Sequence, residues 1–291
     1  MLTSAFALNM QLVAQGWLVY EMTSSAINLT WVTLSFMLPQ VVFSLLGGVL
    51  ADRVRKKPLI GWTPVINGIA TLTMGGVIMS GHVTFWDFIW VGALNGTVLA
   101  LSIPARTALI PEVVGENLMF NAMAFNTASW NLSRILGPAL AGFMIAIFAD
   151  GDTSSTFGVG LVYFLLSILY FVSAISVLFL KHEGRPVPGE RKSPVAETAD
   201  GLRYVMNSPI VGGLILLSIL PFLFGLTINT LLPAFSTDVL RGGPDDLGFL
   251  MTGMGGGAII GSLALAKMGN VRNKGYWLIA TGALWGLLVA L

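Results

Sequence analysis

One short stretch of the sequence combines a glycine, an acidic residue and several basic residues. It occupies residues 48–57 and reads Gly-Val-Leu-Ala-Asp-Arg-Val-Arg-Lys-Lys. A glycine permits close helix contact, and an acid one turn later can accept hydrogen bonds or face a neighbouring helix N-terminus. The basic residues would hold the loop at the cytoplasmic face of a membrane, and an ordinary basic loop is the alternative interpretation. The candidate gating residues are Gly48, Asp52, Arg53, Lys56 and Lys57.

A second stretch, residues 126–142, places polar side chains inside an apolar run. Arg134 is the one basic residue well inside a predicted span, where a guanidinium costs at least ~2.5 kcal/mol. Such residues usually face a cavity, so we interpret Arg134 as a substrate or gating contact. A structural arginine paired to carbonyls near the cytoplasmic edge is the alternative. Asn126 and Asn131 are candidates for the same cavity.

Two groups of small residues predict helix packing. Gly137, Pro138 and Gly142 lie in the second stretch, where proline can kink a helix and glycines allow tight contact. A packing kink without a transport role is the alternative there. The run at 253–261 lacks the spacing of a nucleotide-binding loop, and its glycines at every fourth position predict packing of one helix face. These glycines are Gly253, Gly257 and Gly261.

The residue types also exclude several kinds of site. The chain has no cysteine, and its two histidines, His82 and His182, lie in predicted loops on opposite sides of the membrane. The acidic residues lie at span ends, with a buried titrating group as the alternative interpretation of Glu21. We therefore predict no enzyme, with no catalytic residue, no metal site and no cofactor.

Composition predicts that these residues are positioned by membrane helices. Hydrophobic residues make up 55% of the 291 residues and charged residues 10%, whereas a soluble domain carries about a quarter charged residues. A helix needs about 20 apolar residues to cross the hydrocarbon core. The fifth such run could equally begin near Phe125, with 112–124 as a surface segment. The nine predicted spans are 1–20, 29–51, 58–79, 87–104, 119–148, 158–180, 209–235, 247–266 and 276–291.

The basic residues predict the orientation. Thirteen of the fifteen lie in alternate loops, and the exceptions are Arg134 and Arg241. Since lysine and arginine accumulate in cytoplasmic loops, we expect these loops and the start of the chain to face the cytoplasm. A multi-pass protein of the cell (inner) membrane follows, with the lipid bilayer as its surroundings and no nucleic-acid partner. The basic loops are 52–57, 105–118, 181–208 and 267–275.

The longest loop divides the predicted spans into two groups. It covers 181–208 as a cytoplasmic linker between a six-helix bundle at 1–180 and a partial bundle of three helices at 209–291. Its second half, from about 193 to 207, predicts a helix lying on the membrane. A solvated linker is the alternative interpretation of that segment.

Similar segments recur in the two groups at the same separation along the chain. Residues 17–25 resemble 231–239, and 47–57 resemble 261–274, as a parallel repeat of two halves would produce. The last apolar run, from 276, is shorter than a ~30 Å hydrocarbon core requires. We therefore expect the chain to end within the membrane.

The stretch at 48–57 resembles the loop signature of the major facilitator superfamily, with Arg55 where that family usually has glycine. The segment at Gly137 resembles part of the span-five motif of its antiporters and drug exporters, with Ala141 and Ser133 in place of two glycines. Most of the chain also resembles the enterobactin-exporter-like and macrolide-efflux-like branch. The segments that carry this resemblance are 10–25, 48–57, 103–114, 126–142 and 231–240.

The resemblance implies the major facilitator fold, with about nine of its twelve helices present and the protein a monomer. It implies secondary active export of small amphipathic molecules, of drug or siderophore type, by alternating access. Protons are the candidate coupling ions, and the family partner of Asp52, on span eleven, is expected to be absent. A non-transporting membrane scaffold or sensor on the same fold is the alternative function.

Overall fold

The computed structural model describes residues 2–115, 118–148, 156–184, 203–268 and 274–290. Long helices account for most of these residues and no strand occurs among them, which confirms the predicted all-α class. A π-helical turn, Phe235–Val239, continues the seventh long helix. The long helices are α1 (Leu2–Thr23), α2 (Ala26–Arg53), α3 (Lys56–Met79), α4 (Phe85–Val114), α5 (Met119–Phe148), α6 (Thr156–Leu178), α7 (Pro209–Ala234), α8 (Pro244–Met268) and α9 (Lys274–Ala290).

Several of these helices have the length and surface of membrane spans. Five are long and apolar enough to cross a bilayer, and large apolar side chains project outward from them. Val41, Trp90, Ile147 and Leu178 are each at least 70% exposed. Large exposed apolar patches are rare on soluble monomers, whereas lipid tails are as apolar as leucine. The five spans are Ala26–Ser44, Lys56–Met79, Phe85–Val114, Asn121–Phe148 and Thr156–Leu178.

The end of α4 differs from the sequence-based prediction, and the start of α5 agrees with one of two predicted starts. α4 continues to Val114, so the predicted loop at 105–118 was wrong over most of its length. A proline removes a backbone donor, and its ring crowds the preceding turn. The helix nevertheless continues through Pro104 and Pro111, where Ala105 and Leu109 are buried in the bundle. α5 begins at Met119, the earlier of its two predicted starts. Of the predicted surface helix at 193–207, residues 203–207 are helical and the rest lie outside the described residues.

The first six helices pack in pairs, with glycines at the closest approaches. α2 lies along α4, α3 lies along α6, and α1 contacts α5 and α6. A methyl group on Gly47 would collide with the carbonyl of Ala100, and one on Gly96 with the carbonyl of Phe36. A Cβ on Gly48 would meet no described atom within 4 Å. The close contact therefore lies one residue before the glycine that we predicted.

α5 and α8 form the principal contact between the first six helices and the later ones. A Cβ on Gly248 would lie 3.4 Å from the Cα of Gly142. The rings of Phe143 and Phe249 meet edge to face with centroids 4.9 Å apart. We call this contact the α5–α8 seam, formed by Ile135, Ala139, Gly142 and Phe143 with Gly248, Phe249 and Gly255. The division of the chain into two bundles remains a prediction.

The glycines of α8 that pack are not those that we predicted. A methyl group on Gly255 would collide with Ile135, whereas one on Gly253, Gly257 or Gly261 would meet no described atom within 4 Å. Gly248 and Gly255 are seven residues apart, which is about two turns, so they share one face. Gly253 and Gly257 lie two residues to either side of Gly255 and so point nearly the opposite way.

Candidate functional site

The turn between α2 and α3 carries the predicted gating residues and is fixed to two other helices. We call the end of the bundle at this turn the basic end. Lys56 is 1% exposed, and its Nζ lies 2.7 Å from Oε1 of Glu112, near the end of α4. The backbone N–H groups of Lys56 and Lys57 donate to the carbonyls of Gly184 and Glu183, each at 3.0 Å. The turn is therefore held against α4 and the segment after α6.

Lys57 and Arg55 extend this contact. The Nζ of Lys57 donates to the carbonyl oxygens of Leu178, at 3.1 Å, and Leu180, at 2.6 Å. The last carbonyls of a helix have no intrahelical donor and lie at the negative end of the helix dipole, so an ammonium is well matched to the end of α6. Arg55 pairs with Glu183 at 2.9 Å, with both side chains exposed. We call the contacts of Arg55, Lys56 and Lys57 the basic-end clasp.

The two other polar members of the predicted set take no part in the clasp. Asp52 and Arg53 are both exposed, and neither forms an ion pair with a described residue. The basic residues after the turn thus hold its position, whereas the acid at the end of α2 is open to a further partner. The gating role of Asp52 remains a prediction.

On α5, the predicted cavity residues lie on the basic-end side of the seam. Arg134 and Asn131 are exposed, and Asn126 is half-buried. No described carboxylate pairs with Arg134. Arg134 and Asn131 are therefore not covered by the described part of the chain, whereas Asn126 is partly covered. Their role as cavity residues remains a prediction.

The predicted packing residues of α5 lie deeper in the bundle. Gly137, Pro138 and Gly142 are buried, and α5 runs unbroken through the proline. A Cβ on Gly137 would lie 2.9 Å from the Cβ of Asn9 on α1. Gly142 faces Gly248 across the seam. These small residues let α5 contact α1 on one side and α8 on the other.

The seam is closed at one end only. Along the face of α5 that meets α8, Ile135 and Ala139 are 7% and 8% exposed. One and two turns closer to the basic end, Asn131 and Ala128 are exposed, and Phe125 is 73% exposed. Contact therefore holds toward the end opposite the basic end, and the same face of α5 is uncovered toward the basic end.

A hydrogen bond that we did not predict reinforces the closed end. The Tyr20 hydroxyl, near the end of α1, donates to the carboxylate of Asp238 in the π-helical turn after α7. The sequence marked 17–25 and 231–239 as similar segments, but similarity does not show that two segments touch. We call this bond the Tyr20–Asp238 latch. Glu21 is exposed, so its interpretation as a buried titrating group was wrong.

The sequence also missed a polar cavity inside the first six helices. Arg106 was assigned to a loop, but it lies within α4 and lines this cavity together with Trp130 of α5. The prolines and the charge in the segment around Arg106 suggested a loop. The burial of Ala105 and Leu109 is what indicates that the segment belongs to a packed helix. Helices α1, α3, α4 and α6 supply the other polar groups of the cavity, from Ser4, Thr63, Asn67, Asn95 and Tyr170.

Three buried atoms on this cavity have no hydrogen-bond partner among the described residues. They are the Nε of Arg106, the Oδ1 of Asn67 and the Oδ1 of Asn95. The hydroxyl of Tyr170 donates to Oε1 of Gln11 at 3.4 Å. The cavity thus combines a cation with two free hydrogen-bond acceptors, all inside the membrane-spanning helices.

Comparison with known proteins identifies a family that matches the chain and several related membrane proteins. The family model described as "transmembrane secretion effector" matches residues 1–290. The multidrug efflux pump Tap of Mycolicibacterium fortuitum is 26% identical over 289 residues, which cover 94% of this chain and 66% of that protein. The enterobactin exporter EntS of Shigella boydii is 26% identical over 231 residues, which cover 79% of this chain and 53% of that protein. The staphyloferrin A transporter of Staphylococcus aureus is 24% identical over 259 residues, which cover 88% of this chain and 62% of that protein. The chain spans between about half and two thirds of the length of these relatives.

Proposed function

This chain belongs to the transmembrane secretion effector family of the major facilitator superfamily, and on that premise we propose that it is part of a secondary exporter. Its apolar helices and its family make it a multi-pass membrane protein. The proposed substrates are small amphipathic molecules of the drug or siderophore type. The named relatives, a multidrug efflux pump and two siderophore transporters, support that class.

The α5–α8 seam is the observation that carries this proposal. A transporter that works by alternating access must hold its two halves together at one end while they part at the other. The seam is buried at Ile135 and Ala139 and uncovered at Asn131 and Phe125. This geometry supports a state that is open at the basic end, which in the proposed orientation faces the cytoplasm.

Each candidate residue has a place in this cycle. Arg134 and Asn131 are exposed on the basic-end side of the seam, where a substrate would enter from the cytoplasm, and the half-buried Asn126 would line the same path. Asp52 would act at the turn between α2 and α3, where its exposed charge can meet a partner in one state and lose it in the other. Protons are the proposed coupling ions, and a monomer in the cell (inner) membrane is the proposed form.

Transport into inside-out vesicles tests the proposal. Vesicles that contain the complete gene product should accumulate an amphipathic fluorescent dye above the level of vesicles without it, and a pH gradient should drive the accumulation. Dye uptake equal to that of the empty vesicles would favour the scaffold or sensor alternative.

A reversible cross-link adds a control for the mechanism. In a variant with Tyr20→Cys and Asp238→Cys, a reducible bis-thiosulfonate linker should join the helix ends that form the latch. Because export requires this end to open, the linked protein should stop transporting, and a reducing agent should restore uptake. Full transport by the linked protein would contradict alternating access at this end.

A further inference from the structure

The cavity inside the first six helices holds a positive charge that no described acidic residue neutralises. Arg106 lies about 12 Å along α4 from its end at Val114, at about 1.5 Å per residue. It forms no ion pair with a described residue, and each acidic residue in the described part of the chain lies in a loop or near a helix end. Arg106 is half-buried as a residue, but its Nε–H is fully buried without a partner, and such a group is unfavourable. The cavity therefore selects for a negative group.

The unpartnered atoms define the ligand further. The Nε–H of Arg106 can only donate a hydrogen bond, whereas the amide oxygens of Asn67 and Asn95 can only accept one. Asn67 and Asn95 are 4% and 3% exposed, so bulk water does not reach their side chains freely. A complementary ligand must carry a negatively charged acceptor and, close to it, a donor. A neutral hydroxyl suits the donor position better than an ammonium, which Arg106 would repel.

We propose that this cavity binds the carboxylate and adjacent hydroxyl of a hydroxy acid. The carboxylate would accept from Arg106, and the hydroxyl would donate to Asn67 or Asn95. The cavity and its opening together hold about 360 Å³ of empty space, but the enclosed part has room for only about one or two water molecules. Only a group of a few atoms can therefore enter, with the rest of the ligand in the opening. The ligand is either a free small hydroxy acid or the corresponding group of the transported molecule. Only the second source rests on the proposed function.

Equilibrium binding to the purified complete gene product tests the site without any transport. The probes are glycolate, acetate, which lacks the hydroxyl, and ethylene glycol, which lacks the charge, all titrated calorimetrically at constant ionic strength. We expect glycolate to bind with a Kd on the order of millimolar, as its few atoms allow. Acetate should bind about tenfold more weakly, and ethylene glycol should not bind measurably.

Two variants and a matched control assign the binding to the cavity. Arg106→Gln should abolish glycolate binding, whereas Arg55→Gln removes the same charge from an exposed position and should leave it unchanged. Asn95→Asp is a second variant that should remain folded, because its carboxylate supplies a negative charge beside Arg106. This variant should melt at the same or a higher temperature and should bind glycolate at least about tenfold more weakly.

Three results would overturn the proposal. They are the absence of glycolate binding to the wild-type protein, equal binding of acetate and glycolate, and undiminished glycolate binding by folded Asn95→Asp. Glycolate in the vesicle assay then separates the two sources. Competitive inhibition of dye export identifies the site with the transported molecule, and binding without inhibition identifies a resident small acid. Loss of binding would leave the export assay intact, so the two proposals fail independently.

Discussion

Substituting leucine for Gly248 tests whether the seam controls the state of the protein. A Cβ on Gly248 would already lie 3.4 Å from the Cα of Gly142 and 3.5 Å from the carbonyl oxygen of Ala139. Both atoms belong to the backbone of α5, so no side-chain rotation can make room. The outer atoms of a leucine need about another 2–3 Å, and α8 must move away from α5 to accommodate them.

The size of the effect follows from the cost of overpacking. Extra methylene groups in a well-packed contact cost about 1–3 kcal/mol, and each 1.4 kcal/mol is a tenfold change in an equilibrium constant. The substitution penalises only the state in which the seam is closed. We therefore expect the population to shift about 5- to 150-fold toward the state that is open at the end opposite the basic end.

Spin labels at the two ends of the protein measure this shift. The described sequence has no cysteine, so labels can be placed at Met22 with Leu240 and, in a second protein, at Met123 with Ile260, all exposed positions. In Gly248→Leu the first distance should lengthen and the second should shorten. Gly257→Leu is the matched control because a Cβ there meets no described atom. Distances in Gly248→Leu that match those of the wild type and the control would refute the role of the seam.

Three further predictions concern the latch, the basic-end clasp and the acid beside it. Tyr20→Phe removes the hydroxyl that donates to the carboxylate of Asp238. It should shift the equilibrium between the two states, measured with the same spin labels, by up to about 1.5–3 kcal/mol, and unchanged distances would contradict the latch. Lys56→Met breaks an ion pair whose lysine is buried, so it should lower the free energy of unfolding by about 1–3 kcal/mol. Arg55→Met breaks an exposed ion pair and should lower that free energy by less than about 1 kcal/mol. Thermal melting of the two variants measures both effects. Asp52→Asn should reduce dye export severely while expression and dye binding persist, and wild-type export would leave the turn a purely structural element.

The sequence predicts the helices well because each span is specified by its own composition. Runs of apolar residues near 20 long identify helices wherever they occur, and the described helices begin and end within a few residues of most predicted spans. The main error, at the end of α4, arose because Pro104 and Pro111 suggest a break. What keeps the helix intact is burial of the intervening residues, and burial depends on the neighbouring helices rather than on the segment itself.

The packing faces and the cavity could not be predicted in the same way. A repeat of glycines at every fourth position suggests a common face, yet α8 packs through Gly248 and Gly255. The choice depends on which side α5 approaches, and a single sequence does not contain that information. Arg106 was missed for a related reason. Its chemistry becomes visible only when α1, α3 and α6 bring their polar groups to the same cavity.

The distribution of contact strength fits a protein that moves between two states. The basic-end clasp joins α2, α3, α4 and the end of α6 with a buried lysine and several backbone hydrogen bonds, so these elements should move together. The contacts between α5 and α8, and between Tyr20 and Asp238, are small residues in van der Waals contact, one pair of rings and one hydrogen bond. Each of these is worth about 0.5–3 kcal/mol, which is little enough to be exchanged for new contacts at the other end. The strong contacts thus lie within the first six helices, and the contacts that a transport cycle must break are the weak ones.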